Sequence, residues 1–341
     1  MTAAFPYFDD SPASSQTAYA ISDAGSVSAA RRAALEVALA LGFDAAALAR
    51  IEAVLHAAAA NIRAYATRGE IVLRSAVRHD GAAGLEILAL DAGPGLSTAQ
   101  SASQHNGGLA QMQSLSDAFD IYSAPGHGTA LALHFWLAAR PTHASGWDLG
   151  VVCLPMHGEF QCGDAWAAAV HDGLLTVAMI DGLGHGPLAA SAANAAVAAM
   201  APCSAEAPAA MLAAAHADLL STCGAAVGVA RLDSDGARST FAGIGNIAGF
   251  SLDGAARHGY VSHNGVVGGN MRKVQEFGTP WHDGMLLLMH SDGLKSRWDL
   301  DLYPGLSARS PAIIAAVLYR DFARSRDDIT VLAMRRRQDL S

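Results

Sequence analysis

The chain has 341 residues, 52% hydrophobic and only 16% charged, a balance that can bury substantial cores and argues against a disordered or low-complexity polymer. At roughly 100–200 residues per domain, this length suits two domains. The formal net charge is −9 and Lys273 and Lys295 are the only lysines, so no basic stripe exists to neutralise nucleic-acid phosphates, which argues against DNA or RNA as a partner.

In chain order, residues 1–18 read as a polar, flexible lead-in without the basic start and apolar core of a signal peptide. Apolar residues then recur at helical spacing over Ser28–Leu41 and Asp44–Tyr65, separated by the stop signal Gly42. Strands are predicted at Ile71–Arg78 and Leu85–Asp91, parted by the turn Asp80-Gly81. After the glycine-bearing turn at Asp91–Gly95 come a helix over Gly108–Phe119 and strands over Ile121–Ser123 and Ala130–Leu137. Residues 141–146 carry no periodicity and form the expected linker. Beyond it, short β-rich runs (149–155, 164–169, 174–180, 225–232, 238–243, 247–251, 285–290, 329–334) surround helical stretches at 188–200 and 206–221. That alternation predicts strands packed on strands with helices outside. No stretch of about 18 uninterrupted apolar residues is read as crossing a membrane, so a cytoplasmic protein with no membrane partner is expected. Cys153, Cys162, Cys203 and Cys223 form no Cys-x-x-Cys pair and have no histidine at zinc spacing; they read as reduced, mostly buried thiols.

Chemistry concentrates where carboxylates stand at the ends of apolar strands: Gly163-Asp164, Asp181-Gly182-Leu183-Gly184-His185-Gly186, Ser291-Asp292-Gly293 and Arg326-Asp327-Asp328. Three or four such groups converging on one sheet rim repel one another and are tolerable only with divalent cations between them. With oxygen donors throughout, the pattern selects Mg²⁺ or Mn²⁺ over Zn²⁺. Gly182, lacking a Cβ, would let its carbonyl approach a metal and a phosphate come close. A lone Asp-Gly is usually a turn, and Asp172-Gly173, Asp235-Gly236, Asp253-Gly254 and Asp283-Gly284 are read as nothing more.

Taken in order with Gly243-Ile244-Gly245-Asn246 and Asn264–Gly269, these pieces resemble the PP2C-type bacterial phosphatases of the SpoIIE and RsbX group, across residues 147–337. The resemblance implies a PP2C-like α-β-β-α sandwich holding two Mn²⁺ or Mg²⁺ ions. Asp181 would bridge both ions, Gly182 would offer its carbonyl to one, and Asp292 and Asp327 would complete the second site. Asp328 could exchange roles with Asp327, and Asp164 would orient a metal-bound water. His185 would either assist proton transfer or serve as a turn residue. The resemblance further implies phosphorylated STAS-domain proteins of a partner-switching or stressosome pathway as substrates, hydrolysed directly by water without a phosphoenzyme.

A second ordered series lies earlier. Asn61 on a helix could offer an amide oxygen to a phosphate-held Mg²⁺, and Asp91 at a strand end could accept from the exocyclic amine of a base. Gly93, Gly95, Gly108, Leu109, Gly126, Gly128 and Thr129 sit in turns and at a helix start where backbone N–H groups could meet phosphates. Together these resemble the GHKL-type ATP-binding fold of RsbT-like anti-sigma serine kinases across residues 19–140, and so imply ATP or ADP as ligand and an N-terminal α/β sandwich. Those kinases carry a glutamate four residues before the helix asparagine, where this chain has Ala57, which cannot accept a proton. His56, rotated by about 100°, would face elsewhere. The expectation is therefore an α+β chain in which a degenerate kinase-like nucleotide module is fused to a two-metal phosphatase. The alternatives are a bifunctional serine kinase/phosphatase and a non-enzymatic docking protein.

Overall fold

In a computed structural model the described residues are 16–78, 80–96, 107–138, 146–233, 235, 237–271 and 274–337. Most of the expected lead-in and of the linker at 141–146 lies outside them. The described residues form mixed α/β structure with three five-stranded sheets. They cluster into two compact units, one from Ser15–Pro141 with Asp299–Asp321, the other from Thr142–Trp298 with Phe322–Ser341.

The first unit contains β1 (Thr17–Ala20), α1 (Ala24–Leu41), α2 (Ala45–Tyr65), β2 (Gly69–Val77), β3 (Ala83–Asp91), α3 (Gly107–Leu115), β4 (Ala118–Ser123) and β5 (Thr129–Trp136). Asp23 caps α1 by accepting from the Ser26 N–H at 2.8 Å, and Gly42 ends it at φ +95°. In α1 the buried face is Ala30, Ala34 and Ala38, one residue per turn, and it lets the helix lie close to the core. Ile51, Val54, Leu55, Ala58 and Ile62 of α2 join them against Ile71, Leu73, Leu85, Ile87, Leu133 and Phe135. By length and composition alone α2 is apolar enough to cross a membrane, although Arg50, Glu52 and Arg63 interrupt it, and its buried face belongs to this core. The antiparallel strand order is β1-β2-β3-β5-β4.

The opposite sheet face carries a buried ionic cluster, in which Arg74 Nε and Nη2 donate to Glu86 at 2.5 and 3.0 Å and His134 meets Glu86 at 2.9 Å. The unit also includes a helix from far along the chain, which sequence periodicity does not reveal. Residues Pro311–Leu318 of this helix (Pro311–Phe322) are all buried. Ser310 N–H donates to Asp120, Tyr319 Oη to Glu70, and Arg320 Nη1 to the Asp91 carbonyl.

The second unit holds two sheets. One, ordered β13-β10-β9-β8-β7, contains β7 (Asp164–His171), β8 (Leu174–Gly182), β9 (Ala225–Asp233), β10 (Arg238–Ile244) and β13 (Phe277–Pro280). Its outer face is covered by α4 (Gly186–Met200) and α5 (Pro208–Leu219), through Ala193, Ala196, Met200, Met211, Leu212 and Ala215. The other sheet, β12-β11-β14-β15-β6, is built from β6 (Trp147–Leu154), β11 (Ala248–Asp253), β12 (Ala256–Gly259), β14 (Leu286–His290) and β15 (Ile329–Arg336). The two sheets meet closely at glycines. A Cβ on Gly228 would lie 2.7 Å from Ile247, and one on Gly249 would lie 3.4 Å from the Phe241 ring of β10. With the first unit's distal helix numbered α6 (Pro311–Phe322), the described residues hold six α-helices.

Candidate metal centre

At one end of the second unit, four strand termini bring their carboxylates together. β7 begins at Asp164 and β8 ends at Asp181-Gly182, and the register sets Asp164 directly opposite Asp181. On the other sheet, Asp292 follows β14 and Asp327-Asp328 precede β15, in neighbouring antiparallel strands. Hydrogen bonds join the two sheets here. Ser291, fully buried, donates its Oγ–H to Asp164 Oδ2 at 2.6 Å and accepts from the Thr330 N–H at 2.9 Å. Asp328 Oδ1 accepts from the Met156 N–H at 2.8 Å, fastening the loop after β6.

The electrostatics register this crowding. Burial, then the charges of Asp164, Asp292, Asp327 and Asp328, push the Asp181 carboxyl up to about 8. Burial raises Asp164 well above the usual carboxylate range, against the Ser291 hydrogen bond. Asp327 is raised by burial and then by the neighbouring Asp292 charge. Among the described residues, however, no three His, Cys, Asp or Glu side chains are drawn into a finished metal cage. Without an ion between them, like charges spread apart while the field of each still reaches the others.

The residues present fit a hard divalent cation. The side-chain donors are all carboxylate oxygens, and Asp328 Oδ2 is buried without a hydrogen-bond partner. The pair at 327–328 divides its duties. Asp328 is buried and tied to Met156, while Asp327 is half-buried and feels the Asp292 charge. Glycine at 182 also has a packing reason, since a Cβ there would lie 2.2 Å from the Ala189 carbonyl of α4. Helix packing demands the glycine.

Sequence reasoning assigned no role in the site to Ser291, Asn246 or Glu159. Asn246 Nδ2 donates to Asp292 Oδ2 at 2.7 Å from the turn after β10. Glu159 Oε1 lies 2.9 Å from His185 Nδ1 at the start of α4. The position of Ser291, a small hydroxyl between an apolar strand and an acid, was the available signal.

In the first unit a cavity of roughly 370 Å³ is lined by Asn61, Asp91, Gly95, Leu109 and Thr129, together with Ala58, Ile62, Tyr65, Ala89, Pro94, Leu96 and Leu131. Of the nine expected nucleotide residues these are five. Gly93, Gly108, Gly126 and Gly128 do not line it. The Gly93 N–H donates to Asp91 Oδ1 at 2.8 Å, and Gly128, at φ +63°, would place a Cβ 2.1 Å from the Asp91 carbonyl. Gly126, at φ +80°, shapes only the turn, and Gly108 abuts Asn61 from a neighbouring groove. His56, expected to face elsewhere, lines that same groove beside Ala57.

No protein-family model and no curated protein matches the sequence. Solved structures do. One, from a report on the bacterial stressosome as a modular system adapted to control secondary-messenger signalling, is 27% identical over 55% of this chain and 99% of that chain, with a TM-score of 0.52. RsbX in complex with magnesium is 20% identical over 55% of this chain and 94% of its own, with a TM-score of 0.49. The PP2C phosphatase domain of SpoIIE from Bacillus subtilis, with a fragment of its regulatory domain, is 19% identical over 76% of this chain and 80% of its own, also at 0.49.

Proposed function

We propose that the second unit is a divalent-cation-dependent serine/threonine phosphoprotein phosphatase. The observation that carries this reading is the convergence of Asp164, Asp181, Asp292 and Asp327 from two sheets on one rim, where each raises the proton affinity of Asp181 or is raised with it. Asp181, the Gly182 carbonyl, Asp292 and Asp327 would hold two Mg²⁺ or Mn²⁺ ions. Bound there, the ions would supply Lewis acidity for hydrolysing a phosphate ester.

The chain's own groups do the positioning. Ser291 fixes one oxygen of Asp164 and leaves the other to orient a water. Asn246 sets the rotamer of Asp292 through its amide N–H. Asp328 anchors the loop carrying Glu159, which in turn holds His185 at the entrance to α4. The likeness to a stressosome structure supports a phosphorylated STAS-domain protein as substrate. Phosphate release from such a protein with Mn²⁺, lost in Asp181→Ala, tests the reading; release that persists in Asp181→Ala overturns it.

The cavity of the first unit supports a second role, binding of ATP or ADP without kinase chemistry. Its observation is the meeting of Asn61, Asp91 and Thr129 in one cavity while Ala57 stands in the base position. Calorimetric titration with ADP, weakened in Asp91→Ala, tests it, and phosphotransfer from labelled ATP to a STAS protein would restore the bifunctional alternative.

A further inference from the structure

Beside the acids lie two sulfurs that the proposed reaction does not use. Cys153 Sγ, on β6, is 3.7 Å from Cys162 Sγ, and the two are not bonded to each other. Cys153 Sγ also contacts the Asp164 carbonyl at 3.8 Å. The sulfur contacts of Cys203 and Cys223 are instead to backbone carbonyls of Ala199, Met200, Leu188 and Gly224. Contrary to the expectation of mostly buried thiols, only Cys153 is fully buried; Cys162 and Cys203 are half-buried and Cys223 is exposed.

We propose that Cys153 and Cys162 form a peroxide-sensitive dithiol that closes to an intramolecular disulfide and thereby weakens divalent-cation binding at the adjacent acids. Closure must bring the sulfurs from 3.7 Å to about 2.05 Å. Cys153 is held by the β6–β15 ladder opposite Thr330, whereas Cys162 lies outside any strand. The movement therefore falls on the Cys162 side, two residues before Asp164, and in the segment that carries Met156 and Glu159. It also replaces the thiol that faces the Asp164 carbonyl.

The chemistry balances with hydrogen peroxide as oxidant. One sulfur attacks the peroxide O–O bond, forming a sulfenic acid and releasing one water. The second sulfur attacks that sulfenic sulfur, the S–S bond forms, and the departing hydroxyl leaves as a second water with the remaining thiol proton. Two thiols are oxidised by two electrons, and one peroxide is reduced to two waters.

The full-length protein is treated with hydrogen peroxide, alkylated under denaturing conditions and mapped by mass spectrometry, in the native sequence and in Cys162→Ser and Cys223→Ser. The expected product is a Cys153–Cys162 linked peptide, unchanged in Cys223→Ser and reversed by dithiothreitol. Persistence of both cysteines as alkylated thiols, while Cys223 is oxidised, overturns the disulfide. Mn²⁺ affinity measured by calorimetry should fall about tenfold on oxidation, the lower end of what disturbing groups behind metal ligands costs, and should be indifferent to peroxide in Cys162→Ser. Equal affinity before and after oxidation, or a loss that survives in Cys162→Ser, overturns the coupling. That coupling rests on the acids being a divalent centre. If reduced protein binds no Mn²⁺ the metal reading itself fails, while the peptide map still decides the disulfide.

Discussion

Asp164 and Asp181 face each other across adjacent antiparallel strands, two carboxylates at the directly opposed position of the β7–β8 ladder. Like charges so placed destabilise a sheet, and both carboxyls are raised: Asp164 well above the usual range, first by burial, and Asp181 up to about 8 by burial and by its acidic neighbours.

The consequence for metal-free protein has a definite sign. An acid with its folded pKa raised holds a proton in the native state that the unfolded chain has released, so stability falls as pH rises between the two values. For Asp181 that window runs from its ordinary value of 3.8 up to about 8. Urea unfolding in chelator should show declining stability from pH 5 to pH 8, and Asp181→Asn should flatten that decline and raise Tm. Added Mg²⁺ should stabilise the native protein increasingly with pH, and Asp181→Asn should not respond.

Removing the Ser291 hydroxyl strands two partners at once, Asp164 Oδ2 and the Thr330 N–H. Leaving buried polar groups unsatisfied costs roughly 1–3 kcal/mol. Ser291→Ala should lose that much in urea unfolding and should also bind Mn²⁺ more weakly, whereas Ser291→Thr should retain part of both.

Gly182→Ala separates packing from metal ligation. The added methyl meets the Ala189 carbonyl at 2.2 Å, so α4 must shift. Overpacking of this kind costs about 1–3 kcal/mol. The loss in thermal unfolding should be present in chelator as well as in Mg²⁺; a loss seen only with metal would assign the glycine to its carbonyl instead.

In the first unit, Arg74 and Glu86 are 3% and 1% exposed as side chains. Arg74→Met leaves the Glu86 charge without its bidentate partner and should cost about 3–5 kcal/mol, while Arg74→Met with Glu86→Leu should come close to the parent. Burial alone would raise Glu86, but the Arg74 charge and the His134 hydrogen bond outweigh it and hold the carboxyl down to about 2. A depressed acid contributes stability above its unfolded value, 4.5, that is lost as pH falls toward about 2. Acid unfolding followed by circular dichroism should shift to higher pH in Arg74→Met.

Where one face of an element is buried and the other wet, periodicity in the sequence located it: α2 was read within a residue at each end, and β8 was placed because a continuous apolar run stops at Asp181. Elements without that contrast were invisible. Strand β12 is exposed at all four residues, and α6 is apolar around its whole circumference from Pro311 to Leu318, so neither carries a period. The acids were legible because each ends a strand. Ser291 and Asn246 were not, because their roles depend on a partner 127 and 46 residues away.

The assignment of Asp299–Asp321 to the first unit has a practical corollary. Because the polypeptide leaves the second unit after Trp298 and returns at Phe322, no single cut yields both units whole. A fragment beginning near Gly146 would retain α6 without the rest of its unit, leaving Ser310, Tyr319 and Arg320 without Asp120, Glu70 and Asp91, and an apolar helix separated from its packing partners is prone to self-association. Dissecting this protein calls for excising the excursion as well, with a short bridge joining Trp298 to Phe322.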